Sequence, residues 1–246
     1  MTSRETSLNS RNDYSAWTIQ QETFFGLCSS PGATQSAILA VMGLPAGDQE
    51  LVQIMDAALA DAARRAGKWL VCRQGCTQCC HGAFAINELD AQRLVAGMET
   101  LRGENPNLAA ELQRRARIWI CEHGPSFPGD RETGRIGDSD TDRAHFEDFA
   151  NDAPCPALDP ATGRCDVYQW RPMTCRVFGP PVRIDAGPDA DSEETNALGH
   201  CELCFVGATP AEIAACEMPI PHELEETLVN EIPAQGETIV AFALLR

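Results

Sequence analysis

Four cysteines lie within nine residues of this chain, where Cys72, Cys76, Cys79 and Cys80 form the pattern C-x3-C-x2-C-C. Thiolates bind soft or borderline metals such as zinc and iron, and short spacings allow one turn of backbone to deliver two sulfur atoms to one ion. A distant segment then supplies the remaining ligands. The pattern therefore predicts one part of a metal site.

Two further segments repeat this concentration of cysteine: residues 155–175 carry one at every tenth position, and residues 201–204 form a C-x2-C pair. The predicted metal ligands are Cys72, Cys76, Cys79, Cys80, Cys155, Cys165, Cys175, Cys201 and Cys204. This set is close to the eight thiolates that two four-sulfur sites would use. Adjacent side chains point in different directions. Cys79 and Cys80 therefore either bind different ions, or only one of them is a ligand.

Three other roles for the cysteines are compatible with parts of the pattern. Buried unligated thiols would explain a stripe on one helix but not three clusters, and disulfides would need an oxidising compartment. Cys72, Cys76 and Cys79 also match the short C-x3-C-x2-C signature of radical S-adenosylmethionine enzymes. The chain shows no run of βα units to accompany that signature, but the match keeps an iron–sulfur cluster open as an alternative.

A longer pattern joins the ligands to the residues that frame them. From Cys165 to Phe178 the chain reads C-x-x-Tyr-x-x-Arg-Pro-x-x-Cys-Arg-x-Phe. Together with C-x3-C-x2-C-C and Cys155-Pro156, this resembles the YkgJ-like cysteine-cluster family, and the resemblance covers about residues 72–204. It implies chelation of a zinc or iron ion.

The resemblance has limits. It excludes the first 45 residues and the acidic tail, and residues 84–153 form a long insertion. A weaker similarity of the cysteine stretch to flagellin lysine N-methylases implies the alternative function, an iron–sulfur enzyme of redox or methyl-transfer chemistry.

Two arginines within the longer pattern are predicted to support the metal from a second shell. Several thiolates around a divalent ion leave surplus negative charge, which Arg171 and Arg176 could offset through charge-assisted hydrogen bonds. The alternative is that they pair with nearby acids such as Asp166. Tyr168 and Phe178 are predicted to form a dry shell around the site.

The first predicted helix begins at Asp48 and leads towards the cysteines, with apolar residues recurring at helical spacing. Gly75 predicts a break into a ligand loop. A second helix opens at Asn87, a capping residue, and a third extends from Asn107 to about Cys121, which we place on its apolar face.

The later chain is more irregular. Residues 122–153 are rich in glycine, proline and charge without any period, which predicts a surface loop. Thr209 begins a short helix with a capping box, and Cys216 is predicted to be buried on it. An acidic helix follows Pro221, and the apolar end of the chain could be a strand or a helix.

These elements predict a mainly α fold with irregular, metal-stapled loops, in which a small cysteine-cluster domain carries a helical insertion. We divide the chain into an N-terminal extension (1–46), the metal-binding domain (47–216, with the insertion at about 84–153) and an acidic C-terminal segment (217–246).

Composition restricts the partners. The net charge is −17, and residues 184–246 hold thirteen acidic residues and one base. Such a surface repels phosphate backbones, so we expect neither nucleic acid nor membrane as a partner, and no protein partner is identified. The polar N-terminus lacks the apolar region of a signal peptide, which predicts a cytoplasmic location.

No catalytic constellation of Ser, His and Asp or of paired acids is recognisable. The sequence alone therefore does not decide whether the chain is an enzyme. The leading hypothesis is a metal-binding protein in which the metal is structural or stored. A redox-responsive interaction protein is a third hypothesis beside the iron–sulfur enzyme.

Overall fold

Helices dominate this computed structural model, which describes residues 43–183 and 198–246. Most of the predicted N-terminal extension therefore lies outside the described residues. The helices within them are α1 (Asp48–Ala66), α2 (Glu88–Glu104), α3 (Pro106–His123), α4 (Asp140–Glu147), α5 (Met173–Val177), α6 (Pro210–Ala214), α7 (His222–Asn230) and α8 (Val240–Ala243). The predicted mainly α fold class is confirmed.

The sheet content is small: the strands within the described residues are two residues long and form antiparallel pairs. They are β1 (Ile86–Asn87), β2 (Gly129–Asp130), β3 (Arg135–Ile136), β4 (Leu158–Asp159), β5 (Arg164–Cys165), β6 (Val182–Arg183), β7 (Leu198–Gly199) and β8 (Glu237–Thr238). β1 pairs with β8, β2 with β3, β4 with β5 and β6 with β7. The β4–β5 pair lies within the cysteine-rich residues 155–175, and the β6–β7 pair lies between that segment and the C-x2-C pair of residues 201–204.

The predicted caps at Asn87 and Thr209 are confirmed, whereas α1 has Gly47 rather than Asp48 at its N-cap and α3 is capped by Asn105, before the predicted start at Asn107. The Asn87 side chain accepts a hydrogen bond of 2.9 Å from the backbone N–H of Asp90, and Asn105 caps α3 through the N–H of Leu108. Thr209 forms the predicted capping box with Glu212 at the start of α6. Each cap satisfies an N–H that the helix itself leaves unpaired.

The main hydrophobic core lies where α2, α3 and α8 pack together. Leu94, Met98, Leu112, Ala116 and Leu244 are buried there. The apolar end of the chain is thus a short helix, and it is buried because its side chains complete this core.

A second cluster joins α1 to α7 and to the cysteine-bearing α5. Leu51 and Met55 of α1, Met173 of α5 and Leu228 of α7 are its buried members. α1 therefore supports the metal-binding segments through packing, although it ends at Ala66, before the first predicted ligand.

The prediction of a surface loop at residues 122–153 was wrong. This segment contains the β2–β3 hairpin and α4, and Phe127, Ile136 and Phe149 are buried against Trp119 and Phe242. These contacts join residues far apart in sequence, so no local period announces them. The prediction that Cys121 lies on the apolar face of α3 was also wrong, because this residue is exposed. Cys216 is buried as predicted, just beyond the end of α6.

A buried polar network fixes α5 against α1 and α2. Arg93 donates to Asp48 at 2.6 Å and to Asp90, and Asp90 accepts the backbone N–H of Met173 at 2.9 Å. The network positions the first turn of α5, two residues before Cys175.

No helix among residues 43–183 and 198–246 is both long and apolar enough to span a bilayer.

Candidate metal centre

The first cysteine cluster lies on an irregular loop that follows α1, as the sequence predicts. Gly67 ends α1 with φ +49°, a conformation that favours glycine. Two turns then follow, one closed by the Cys76 N–H on the carbonyl of Arg73 at 2.9 Å and one by the Cys80 N–H on the carbonyl of Thr77 at 2.8 Å. Cys72 and Cys76 therefore flank the first turn, and the other two cysteines lie on the second.

The C-x2-C pair of residues 201–204 lies against the beginning of this loop. The Phe205 N–H donates to the carbonyl of Trp69 at 2.9 Å, and the Cys204 N–H closes a turn on the carbonyl of Cys201 at 2.8 Å. As a result the Sγ atoms of Cys72 and Cys204 are 3.8 Å apart. Two cysteines separated by 132 positions thus meet.

Gly179 closes the same region from a third side. Its carbonyl accepts the N–H of Cys201 at 3.3 Å. A Cβ atom at this position would lie 3.2 Å from Sγ of Cys72, and φ there is +119°. Glycine therefore suits this position on both steric and conformational grounds.

Residues 155–165 lie against the second turn of the loop. The Cys155 N–H donates to the carbonyl of Cys80 at 2.8 Å, and the β4–β5 hairpin that follows carries Cys165, paired in register with Leu158. Arg115 of α3 holds this hairpin through the carbonyl of Leu158 at 2.7 Å and the carboxylate of Asp166 at 2.5 Å.

Burial and neighbouring thiols raise the pKa of Cys72 and of Cys201. Burial, followed by the proximity of Cys204, Cys201 and Cys76, raises the pKa of Cys72 to about 12. Burial also raises the pKa of Cys201, to which nearby Cys204 and Cys76 contribute. Cys204 and Cys76 therefore contribute to the raised pKa of both Cys72 and Cys201.

A second set of neighbours lies around α5. Burial raises the pKa of Cys175 well above its usual range, and Cys155, Cys165 and Cys79 add to that effect. Burial likewise raises the pKa of Cys155 to about 12 and raises that of Cys165, to which Cys79 also contributes. A hydrogen bond with Cys80, with burial second, raises the pKa of Cys79.

Arg171 lies close enough to two of these thiols to favour their ionised forms. Its charge lowers the pKa of Cys79 and Cys165, against the larger effects that raise them. Arg171 is itself buried, with its guanidinium donating to the carbonyl of Tyr168 at 2.9 Å and to Asp56 at 3.4 Å.

The buried side chain of Arg176 joins α1 to the backbone just before α5. It donates to Asp56 at 2.6 Å and to the backbone carbonyls of Gln169 and Arg171 at 2.6 and 3.3 Å. Asp166, the acid suggested by the sequence as an alternative partner, pairs with Arg115 instead.

Two aromatic residues predicted to shield the site do not form a dry shell. The exposed fraction is 59% for Tyr168 and 38% for Phe178. The Tyr168 ring instead lies under the guanidinium of Arg171, 3.9 Å from its centroid, and Phe178 contacts Phe84.

The spacing of one pair of sulfur atoms fits a zinc or iron ion. A tetrahedral ion with metal–sulfur bonds of about 2.3 Å places its sulfur atoms about 3.8 Å apart, and the Cys72–Cys204 pair has this separation. Full convergence is not present: in residues 43–183 and 198–246 no three Cys, His, Asp or Glu side chains are arranged to hold one ion together. The structure thus brings the predicted ligands into neighbouring positions without assembling a complete coordination shell.

Sequence reasoning missed the residues that position the cysteines from outside the clusters. Asp56 on α1, Arg115 on α3 and Asp90 on α2 are distant in sequence from the residues they hold. Their acidic or basic character gave no signal, because surface charges of the same type are common along these helices.

The family model that matches the chain is CxxCxxCC, described as a "putative zinc- or iron-chelating domain", and it covers residues 71–202. The matched range is more than half of the 246 residues and contains all the predicted ligands except Cys204. No curated protein and no solved structure shows significant similarity to the chain.

Proposed function

Since the chain belongs to the CxxCxxCC family, which supports a zinc- or iron-chelating function, we propose that it is a cytoplasmic metal-binding protein whose clustered cysteines hold a mainly structural ion. The observation that carries this proposal is the 3.8 Å separation of Cys72 Sγ and Cys204 Sγ. It matches the edge of a tetrahedral thiolate site and joins two segments that are distant in sequence.

A structural role suits the backbone that bears the ligands. Outside α5 these segments contain turns, 3-10 turns and strands of two residues, which supply few hydrogen bonds of their own. A bound structural zinc ion contributes on the order of 10 kcal/mol that is available to the folded chain alone. A metal would therefore stabilise segments that regular structure does not.

A reducing compartment suits the same residues. All nine predicted ligands are free thiols, and thiols persist in the cytoplasm, where glutathione and thioredoxin keep them reduced.

The raised pKa values of Cys72 and Cys155 mean that metal binding must displace protons from neutral thiols, so the affinity for metal falls as pH is lowered.

The test is metal analysis of protein purified without oxygen. We expect stoichiometric zinc or iron, and we expect the double variant Cys72→Ser/Cys204→Ser to lose metal. Cys216→Ser is the matched control, because Cys216 is buried in the same hydrophobic cluster as Cys204 without being a predicted ligand. A folded but metal-free wild-type protein would contradict the proposal, and a broad visible absorption that bleaches with reductant would replace the single ion by an iron–sulfur cluster.

A further inference from the structure

We propose that Cys72 and Cys204 form a disulfide when the metal-free chain meets a small disulfide such as oxidised glutathione, and that this bond prevents both residues from binding metal. Formation of the bond does not depend on the metal binding proposed above, whereas its competition with metal rests on that proposal. The pair thereby links the metal content of the protein to the redox state of its surroundings.

The sulfur atoms of the pair already lie close together. Both residues are free thiols, and their Sγ atoms are 3.8 Å apart. A disulfide needs a separation of about 2.05 Å, so the two sulfurs must approach by about 1.8 Å, which is within the reach of side-chain rotation. The Cys72 sulfur borders Gly179, where a Cβ atom would lie 3.2 Å from it, so the missing side chain leaves room for this rotation.

The fold, rather than the local sequence, makes these two cysteines neighbours. The N–H of Phe205, the residue after Cys204, donates to the carbonyl of Trp69 at 2.9 Å. Phe205 is also buried in one hydrophobic cluster with Ala66 at the end of α1. Loop closure in an unfolded chain favours partners that are near in sequence, whereas Cys72 and Cys204 are 132 positions apart. Their pairing therefore requires the folded arrangement.

The exposure of the two thiols sets the order of the steps. Cys72 is exposed, whereas the exposed fraction of Cys204 is 1%. The Cys72 thiolate attacks one sulfur of oxidised glutathione, so that a mixed disulfide forms, the glutathione S–S bond breaks and one glutathione leaves as its thiolate. The Cys204 thiolate then attacks the Cys72 sulfur, and the second glutathione leaves. Two protein thiols are oxidised, and one glutathione disulfide is reduced to two thiols that take up the two protons.

The disulfide and the metal compete for the same sulfur atoms, because metals bind the thiolate and a disulfide carries none. The bond nevertheless replaces the ion as a link between the two segments. In the oxidised, metal-free chain the N–H of Phe205 should therefore keep its protection from hydrogen exchange. The N–H of Cys155, which donates to the carbonyl of Cys80, lies outside this link and should lose it.

The experiment treats the full chain with a chelator and then with oxidised glutathione, blocks the remaining thiols and maps crosslinked peptides by mass spectrometry. The pKa of Cys72 is raised to about 12, so the exchange is slow and is run at about pH 8.5. Cleavage after Arg73 separates Cys72 from Cys76, and cleavage after Leu203 separates Cys201 from Cys204. We expect the main product of Cys72 in the folded chain to be its crosslink to Cys204.

Two variants and one condition control this result. Cys204→Ser should lose the crosslink and leave Cys72 bound to glutathione. Cys216→Ser is the matched control and should keep it, because Cys216 is buried in the same cluster as Cys204. In denaturant, Cys72 should pair instead with nearby cysteines such as Cys76. The proposal is overturned if Cys72 of the folded wild type pairs mainly with Cys76 or Cys201, or stops at the mixed disulfide; this mapping needs no variant to fold.

Prior loading with zinc separates this proposal from the proposed function. The zinc-loaded chain should form the crosslink more slowly than the metal-free chain, and the oxidised chain should bind less zinc until it is reduced. Failure to crosslink in a metal-free, folded chain that rebinds zinc would overturn the disulfide alone. Equal rates with and without bound zinc would overturn the competition and would mean that the pair does not bind the metal, while the disulfide itself would stand.

Discussion

At the scale of single residues, the charge of Arg171 is expected to affect how tightly the proposed thiol ligands near it bind metal. Its guanidinium is buried and favours the thiolate forms of Cys79 and Cys165. Removing a residue that supports a metal ligand without binding the metal itself typically lowers metal affinity by about 10–100-fold. Arg171→Gln is therefore expected to weaken metal binding by about that factor, as measured by competition with a chromophoric chelator.

Two controls separate this effect from general damage. Arg64→Gln removes an exposed arginine that pairs with Asp61 and should leave affinity unchanged. Arg171→Lys keeps the charge and should restore part of the affinity, although lysine cannot reproduce the planar contacts of the guanidinium. Equal affinity in Arg171→Gln and wild type, with both folded, would show that this arginine is scaffolding alone.

Asp90 predicts a pH dependence of stability. Burial, partly offset by Arg93 and the Met173 N–H, raises the pKa of Asp90 from 3.8 to about 6. The folded chain therefore binds this proton more tightly than the unfolded chain, so the contribution is fully present below about pH 4 and is lost as pH rises through 6. The change is on the order of 3 kcal/mol.

The measurement is the free energy of unfolding of wild type minus that of Asp90→Asn between pH 4 and 7. Asparagine keeps an oxygen that can accept the N–H of Met173 but does not titrate. We expect the difference to fall across this range and to level off above it. A difference independent of pH would mean that Arg93 keeps Asp90 ionised throughout.

Residue type and spacing single out the candidate ligands, but they do not reveal which of these cysteines lie close together in the fold. Cys72 and Cys204 are 132 positions apart, and the backbone hydrogen bond from Phe205 to Trp69 that brings their segments together is not apparent in the sequence. Likewise Asp166 was a plausible partner for Arg171 by proximity in sequence, and Arg115 reaches it through space.

At the scale of elements, α2 carries two glycines with opposite surroundings. A Cβ atom on Gly97 would lie 2.5 Å from the ring of Trp170, whereas one on Gly103 would meet nothing within 4 Å. Gly97→Ala should lower the free energy of unfolding by about 1–3 kcal/mol through overpacking. Gly103→Ala should raise it by about 0.5–1 kcal/mol, because alanine is the better helix former.

Chemical denaturation of the two variants measures both effects within one helix. Gly97→Ala as stable as Gly103→Ala would show that Trp170 moves aside without cost.

Elements with local signals were predictable, and elements held by distant contacts were not. The caps at Asn87 and Thr209 are written in adjacent residues, and the helices begin where those caps indicate. Residues 122–153 carry no such period because Phe127 and Phe149 find their partners in α3 and near the C-terminus. The structure of this segment therefore could not be predicted from its local sequence.

At the scale of the whole molecule, the main core and the candidate metal centre are adjacent but distinct. The buried members of the core of α2, α3 and α8 are aliphatic side chains and methionine rather than cysteines. The cysteine segments touch its edge through Cys155 and Cys165. This division sets how the protein should respond when metal is taken away.

Removal of metal by a chelator under reducing conditions should open the cysteine segments while leaving most of the helix content in place. Amide protons that link these segments, such as those of Cys155 and Phe205, should lose protection from hydrogen exchange, whereas those within α2 and α3 should keep it. The melting temperature should fall by on the order of 10 °C or more, since binding energy is linked to folding. Readdition of zinc should reverse both changes, and loss of protection throughout α2 and α3 would show that the core itself needs the metal to fold.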